Sequence, residues 1–183
     1  MANDTRITNP YFMGNLILFP TLNGKVIIIS STNNESVKNI SVDPDSEFNN
    51  IISLNVIESS QTLIVATPNK IVSISPKEVL SKDYEVRDII INKEDIYVAT
   101  IDGQLIKLSA SLNEVKSKKY KYAKFHALAF TDSLYAVESQ GFLVNINSDF
   151  SKDSVYDFSF DNEERMIAIG NRIYFDSKYI TLP

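Results

Sequence analysis

The 183-residue chain contains no cysteine, no tryptophan and a single histidine, His126. Without thiols there is no disulfide framework, no thiolate nucleophile, no zinc–thiolate site and no iron–sulfur cluster. One histidine excludes paired-histidine metal sites and leaves little room for histidine acid–base chemistry. Positive charge is not in surplus: 18 basic residues stand against 23 acidic ones, a net charge of −5, whereas a nucleic-acid binder leans the other way. No apolar run approaches the ~20 residues of a membrane helix. The opening Met1-Ala2-Asn3-Asp4-Thr5-Arg6 lacks the basic and apolar regions of a secretory signal. What remains, 44% hydrophobic and 22% charged residues, is the balance of a folded domain. These absences predict a non-catalytic protein with no metal and no cofactor, and with neither nucleic acid nor a membrane span in its function.

What the chain does contain is a repeat. Short β-branched and aliphatic runs occur in pairs around a turn: residues 16–19 and 26–29 around Leu22-Asn23-Gly24, 63–67 and 71–74 around Pro68-Asn69, and 96–100 and 105–108 around Asp102-Gly103. Two more pairs are 134–137 and 142–146 around Gln140-Gly141, and 173–175 and 179–182 around Asp176-Ser177. Asn-Gly and Asp-Gly are hairpin signals because such turns need positive φ, which assigns Gly24, Gly103 and Gly141 a structural role. The hairpins begin near residues 16, 63, 96, 134 and 172, at spacings of 47, 33, 38 and 38. Each follows another strand-like run, at 11–13, 52–57, 86–91, 127–130 and 166–169. Three precede a more polar run, at 37–42, 114–122 and 154–158.

Four antiparallel strands in each ~40 residues is the pattern of a β-propeller blade. The inner strands are nearly all apolar, as expected when both faces of a blade pack on neighbours. The expected fold is therefore all-β, a single propeller domain of four to five blades with three to four strands each. Its units lie at about 10–44, 51–85, 86–124, 125–160 and 164–183; the alternative is a partial propeller, a fragment completed by missing blades or by another chain. A helix is predicted only over residues 75–80, where Ser75 can cap, Pro76 opens and Glu78 completes a capping box; it would replace the outer strand of the second unit. The last unit lacks an outer strand of its own, so residues 3–7 are the candidate to close the ring beside 178–182. Failing that, an open blade edge invites self-association.

The order of short strand, Gly/Asn step, apolar strand, Asp/Asn-Gly and apolar strand ending in Ser or Asp resembles the PQQ-like (quinoprotein-type) β-propeller repeat. Residues 14–30 and 95–109 are its clearest instances. Along residues 10–183 the chain is similar to the later blades of BamB-like outer-membrane assembly lipoproteins, in the divergent form found in epsilonproteobacteria. That resemblance implies a periplasmic, cell-envelope scaffold that binds proteins. It does not carry over PQQ, because the tryptophan and vicinal cysteines that hold the cofactor are missing. The anchoring cysteine is also missing from this chain.

Several residues are candidate sites. His126 reads as a strand-end residue bonded to a neighbour. The spacing Asp43-x-Asp45-x-Glu47 lacks the glycine and distal glutamate of a calcium loop. Asp149, Asp153, Asp157, Asp161, Glu163 and Glu164 fall in outer and connecting segments, without a sugar-stacking tryptophan. A glycan-processing or small-ligand propeller is thus the alternative of a different class. The run Lys116-Ser117-Lys118-Lys119-Tyr120-Lys121-Tyr122-Ala123-Lys124 belongs on an outer strand, where lysine guards an edge or docks an acidic protein. Aromatics at strand beginnings or in loops, Tyr11, Phe12, Phe19, Phe48, Tyr84 and Phe125, either pack between blades or contact a partner. The expected interaction set is Tyr11, Phe12, Phe48, Tyr84, Lys118, Lys119, Lys121 and Phe125, with a protein as partner.

Overall fold

The computed structural model describes residues 6–47, 49–158, 166–175 and 177–183. Among them one 3-10 turn, Glu58–Ser60, interrupts an otherwise all-strand chain. The first sheet holds β1 (Tyr11–Met13), β2 (Leu16–Pro20), β3 (Lys25–Ser30) and β4 (Ser36–Ser41). The second holds β5 (Ser53–Ile57), β6 (Thr62–Ala66), β7 (Lys70–Ile74) and β8 (Val79–Asp83). The third holds β9 (Val86–Asn92), β10 (Asp95–Thr100), β11 (Gln104–Leu108) and β12 (Glu114–Lys119). The fourth holds β13 (Phe125–Phe130), β14 (Leu134–Glu138), β15 (Phe142–Ile146) and β16 (Asp153–Asp157). The fifth holds β17 (Ile167–Ile169), β18 (Arg172–Phe175) and β19 (Lys178–Thr181). Strands lie side by side in chain order. The five hairpins read from the sequence are the antiparallel pairs β2/β3, β6/β7, β10/β11, β14/β15 and β18/β19.

The expected helix at 75–80 is not formed. Ser75 does cap: its Oγ accepts the N–H groups of Lys77 and Glu78 at 3.3 and 3.1 Å. The backbone then turns back, with Ser75 N–H donating to the Glu78 carbonyl, and residues 79–83 run on as β8. The outward edge of β7 offers five cross-strand partners to this segment, and a single helical turn cannot match a full ladder. Tertiary pairing overrides the local signal.

The same hydrogen bonds recur in each four-stranded sheet. The residue after the outer strand donates its N–H to the carbonyl of the inner turn: Val42 to Gly24, Tyr84 to Asn69, Tyr120 to Gly103 and Phe158 to Gly141. A polar side chain latches that turn. Thr21 Oγ1 accepts from Lys25 N–H, Thr67 from Lys70 and Thr100 from Gln104; Glu138 takes the role in the fourth sheet by accepting from Gln140 N–H. At the outer turn, Ser30, Ser75, Ser109 and Asn147 accept a nearby N–H in the same way. The Ser or Asn that ends or follows the apolar strand in these four sheets thus has a physical cause: it satisfies backbone donors where the chain reverses.

The chain divides into two units, Met1–Val86 with Ala110–Leu112, and Arg87–Ser109 with Asn113–Pro183. In the first, Leu18 and Val26 meet Leu54, Leu63, Val65 and Val72 between the first two sheets. In the second, the fourth sheet is covered on both sides. Leu128, Leu134, Ala136, Val144 and Ile146 pack with Tyr97, Ala99 and Leu105 of the third sheet. The intervening Ala127, Ala129, Tyr135, Val137 and Leu143 pack with Ile173, Phe175 and Leu182 of the fifth. Successive side chains point to opposite faces, so a continuous apolar strand needs a sheet on each side. Meander sheets stacked face to face in this way are the blades of a propeller.

The fifth sheet has three strands among the described residues. Asn3, Asp4 and Thr5, the core of the expected closing segment, lie outside the described residues. The adjoining Thr8 N–H donates to the Ile51 carbonyl at 3.1 Å, and Asn50 Nδ2 donates to the Arg6 carbonyl. This stretch is therefore held within the first unit.

Gly103 sits at φ 83°, and a Cβ there would stand 2.6 Å from the Tyr120 carbonyl oxygen and 2.7 Å from that of Ala123. The Tyr120 peptide is fixed on both sides, its N–H donating to the Gly103 carbonyl and its carbonyl accepting from Ala123 N–H. Gly103→Val is expected to cost about 3 kcal/mol or more in urea unfolding. Gly14→Ala, also at positive φ but with nothing within 4 Å, should cost only about 1 kcal/mol. Equal losses would contradict the register.

Asp43 is buried, 3% exposed, between β4 and β5. It accepts from Lys70 Nζ at 2.8 Å, and that hydrogen bond raises the Lys70 pKa above its usual 10.5. A raised lysine pKa stabilises the fold at all pH values below the unfolded value and loses that contribution as pH climbs through the folded one. Asp43→Asn should therefore cost about 2 kcal/mol at pH 8. The gap to the wild type should narrow above pH 10.5; a gap constant to pH 12 would exclude the pair as its source.

Candidate interaction surface

Most residues singled out from the sequence lie among the described ones. Phe12 is exposed on β1, 71% accessible, whereas Tyr11 is half-buried against the core of the first unit. Phe19 is half-buried on β2. Tyr84 is also half-buried, with the Lys82 ammonium 5.3 Å from its ring centre. Phe48 lies outside the described residues, as do Asp161, Glu163 and Glu164. Phe125 departs from its expected place among contact aromatics: it is 1% exposed and belongs to the core of the second unit. The cause is that β13 faces the third sheet, and Tyr120 closes over the ring edge-on at 5.8 Å. His126 is half-buried at an irregularity in the β13/β14 ladder. Asp43 is engaged by Lys70, so the 43–47 segment is a tethered connection. Among the described residues no three His, Asp or Glu side chains gather into a metal-binding group.

The Lys/Tyr run lies on β12 and the turn after it. Two of its lysines are neutralised by acids distant in sequence. Lys118 Nζ meets Asp153 Oδ1 at 2.7 Å and Lys119 Nζ meets Asp102 Oδ2 at 2.5 Å. Asp153 also accepts from the Tyr120 hydroxyl at 2.8 Å. Lys118 and Tyr120 together hold the Asp153 carboxyl below the ordinary carboxylate range. Burial, with Asp153 adding to it, pushes the Tyr120 phenol up. Lys119, then Thr100, lowers Asp102. Lys121 is different: its ammonium lies 4.9 Å from the Tyr122 ring centre, at the rim of a groove.

That groove has a volume of about 330 Å³, and Tyr122, Phe142 and Val155 supply its exposed apolar wall. Tyr122 is 83% exposed and sits at φ 73°. Left-handed backbone at a bulky residue costs roughly 1–2 kcal/mol, and glycine or asparagine would avoid it. An aromatic ring held there in solvent contributes nothing to the core. Phe142 is equally out of pattern: the first position of the third strand is Lys25, Lys70, Gln104 and Lys178 in the other sheets. Sequence reasoning passed over Phe142 and Val155. The available signals were that break in the pattern and the adjacent Val155-Tyr156 on an otherwise polar outer strand. The surface is suited to gripping an apolar side chain beside a negative charge that Lys121 can meet.

The fold and this surface define the class: an all-β protein of the β-propeller type. No family model matches the chain. It is similar to the crystal structure of BamB from Moraxella catarrhalis, with a TM-score of 0.70 at 11% identity over 93% of this chain and 55% of that one. It is equally similar to the computationally designed Ika8 protein, with a TM-score of 0.70 at 13% identity over 91% of this chain and 54% of that one. In sequence it is 28% identical to the plasminogen-binding protein PgbB of two strains of Helicobacter pylori, over 93% of this chain. The chain spans about a third of the length of those curated relatives, 34% in each.

The Lys118–Asp153–Tyr120 cluster generates a pH test. A depressed carboxylate pKa stabilises the fold above the unfolded value and loses that contribution as pH falls through the folded one. Asp153→Asn should cost about 1 kcal/mol at pH 6, and the difference from wild type should shrink below about pH 4. A difference unchanged at pH 2 would mean that the carboxylate is not the stabilising group.

Proposed function

We propose that this chain is a non-catalytic, protein-binding propeller module of the bacterial cell envelope, docking its partner at the Tyr122–Phe142–Val155 groove. The observation that carries this reading is Tyr122, a solvent-exposed aromatic held at positive φ beside Lys121, where the fold itself gains nothing from it. The basic rim suits a partner segment that pairs an apolar residue with a carboxylate. The two relatives named for binding plasminogen support a protein ligand and make plasminogen the first partner to test. A role in outer-membrane protein assembly is a finer form of the same reading, supported only through the likeness of fold to BamB. The span of about half of each similar solved structure supports a second reading, a partial propeller completed by further blades or by another chain.

The test is surface plasmon resonance with immobilised plasminogen. The wild-type chain should bind saturably, and Tyr122→Gly should weaken binding at least about tenfold, the scale of an interface anchor. Glycine relieves the positive φ, so the same variant should unfold at an equal or higher urea concentration. Phe12→Ala, on the first unit, should bind as the wild type does. Absence of saturable binding, or binding indifferent to Tyr122, would overturn the proposal.

A further inference from the structure

Two pairs of neighbouring sheets, one in each unit, build the same seam and finish it differently. In the first unit the row Leu18, Ile28, Lys38 runs across β2, β3 and β4. The same row in the second unit is Tyr97, Lys107, Lys116, across β10, β11 and β12. On the facing sheet, Leu63 pairs with Ile74 as Leu134 pairs with Ile146. In the second unit an aromatic ring closes the seam. Residues 147–152 link β15 to β16, and Phe150 stacks on Tyr97 with ring centres 6.4 Å apart. Lys107 Nζ tethers this link by donating to the Ser148 carbonyl at 3.2 Å. Three residues after the ring, Asp153 accepts from Lys118 Nζ at 2.7 Å and from the Tyr120 hydroxyl at 2.8 Å, both from the basic outer segment of the third sheet.

The first unit has the seam without the ring. Its link between β7 and β8 is only residues 75–78. Leu18 stands where Tyr97 stacks, and Ile28 stands where Lys107 tethers. A groove of about 500 Å³ remains, walled by Ile28, Ile40, Leu63 and Ile74 and lined also by Lys38 and Gln61. Ile28, Ile40 and Ile74 are only partly buried. Gly14 borders the same groove, and a Cβ there would meet nothing within 4 Å. Lys38 is exposed and, among the described residues, joins no ion pair. An apolar groove of this size beside an uncompensated ammonium suits a ligand with an apolar group and a negative charge.

We infer that this groove of the first unit binds a partner polypeptide that inserts a phenylalanine ring between Ile28, Ile40, Leu63 and Ile74 and sets a carboxylate against Lys38. The second unit shows the complement that such a seam accepts, a ring followed by an aspartate on a short link. The partner supplies in trans what residues 147–153 supply in cis. The site is separate from the Tyr122 groove and stands or falls independently of it.

The probe is a synthetic peptide with the sequence of residues 147–153, Asn-Ser-Asp-Phe-Ser-Lys-Asp, blocked at both ends and titrated into the intact chain by methyl and amide NMR. Saturable binding below about 1 mM is expected, with shifts at the methyl groups of Ile28, Ile40, Leu63 and Ile74 and none at Tyr122. Replacing the peptide's phenylalanine with alanine should weaken binding at least about tenfold, the loss of an anchor. Lys38→Glu, an exposed change that should leave the urea midpoint unaltered, should weaken it about fivefold. Exchanging the peptide's two aspartates for lysine should restore binding to that variant. No saturable shifts, shifts away from these methyl groups, or binding indifferent to the phenylalanine or to Lys38→Glu would overturn the inference. A dimer in light scattering that Lys38→Glu dissolves would also overturn it, in favour of a second copy on the groove.

Discussion

The structure depends on one constraint: its inner strands are apolar on both faces. In β14, Leu134 and Ala136 point to one neighbouring sheet and Tyr135 and Val137 to the other. Each large aliphatic side chain left in water forfeits roughly 1.5–3 kcal/mol, so the fourth sheet cannot be stable with one face bare. The second unit answers this by stacking its sheets, and the repeat follows from that need. Because the core is built mainly from inner strands, β12 and β16 are released from core packing and β4 contributes little beyond Ile40. They carry the lysines, acids and exposed rings.

Those outer strands are held in place by backbone bonds at both ends of each blade. The N–H after the outer strand reaches the inner turn, while Thr or Glu at one turn and Ser or Asn at the other satisfy the remaining donors. Once fixed, neighbouring outer strands set their charges against each other. Lys118 finds Asp153 on the next outer strand and Lys119 finds Asp102 in the inner turn of its own sheet, which neutralises two of the five lysines in the run 116–124. Exposed pairs of this kind add little stability. Their effect is to leave the aromatic wall at Tyr122 and Phe142, with Lys121 at its rim, as the distinctive feature of the surface.

Much of this architecture was legible in the sequence because its causes are local. Asn-Gly, Asp-Gly and Gln-Gly mark turns that need positive φ, and Gly24, Gly103 and Gly141 take it. Continuous apolar runs between such turns mark strands buried on both faces. What was illegible depends on partners distant in the chain. Ser75-Pro76-Lys77-Glu78 has the chemistry of a helix start, but the waiting edge of β7 makes it a hairpin turn. Phe125 begins its strand as an exposed aromatic would, and only the third sheet and Tyr120 make it core. The groove joins residues near 122, 142 and 155, so no window of sequence contains it.

The central claim is that this propeller module binds a protein through the face built by Tyr122, Phe142 and Val155. Hydrogen–deuterium exchange of the chain with and without plasminogen tests it most directly, because it locates contact without altering a residue. Slowed exchange concentrated at residues 118–123, 141–144 and 154–156 is the predicted result. Unchanged exchange there, or protection confined to the first unit around Phe12, would contradict the account.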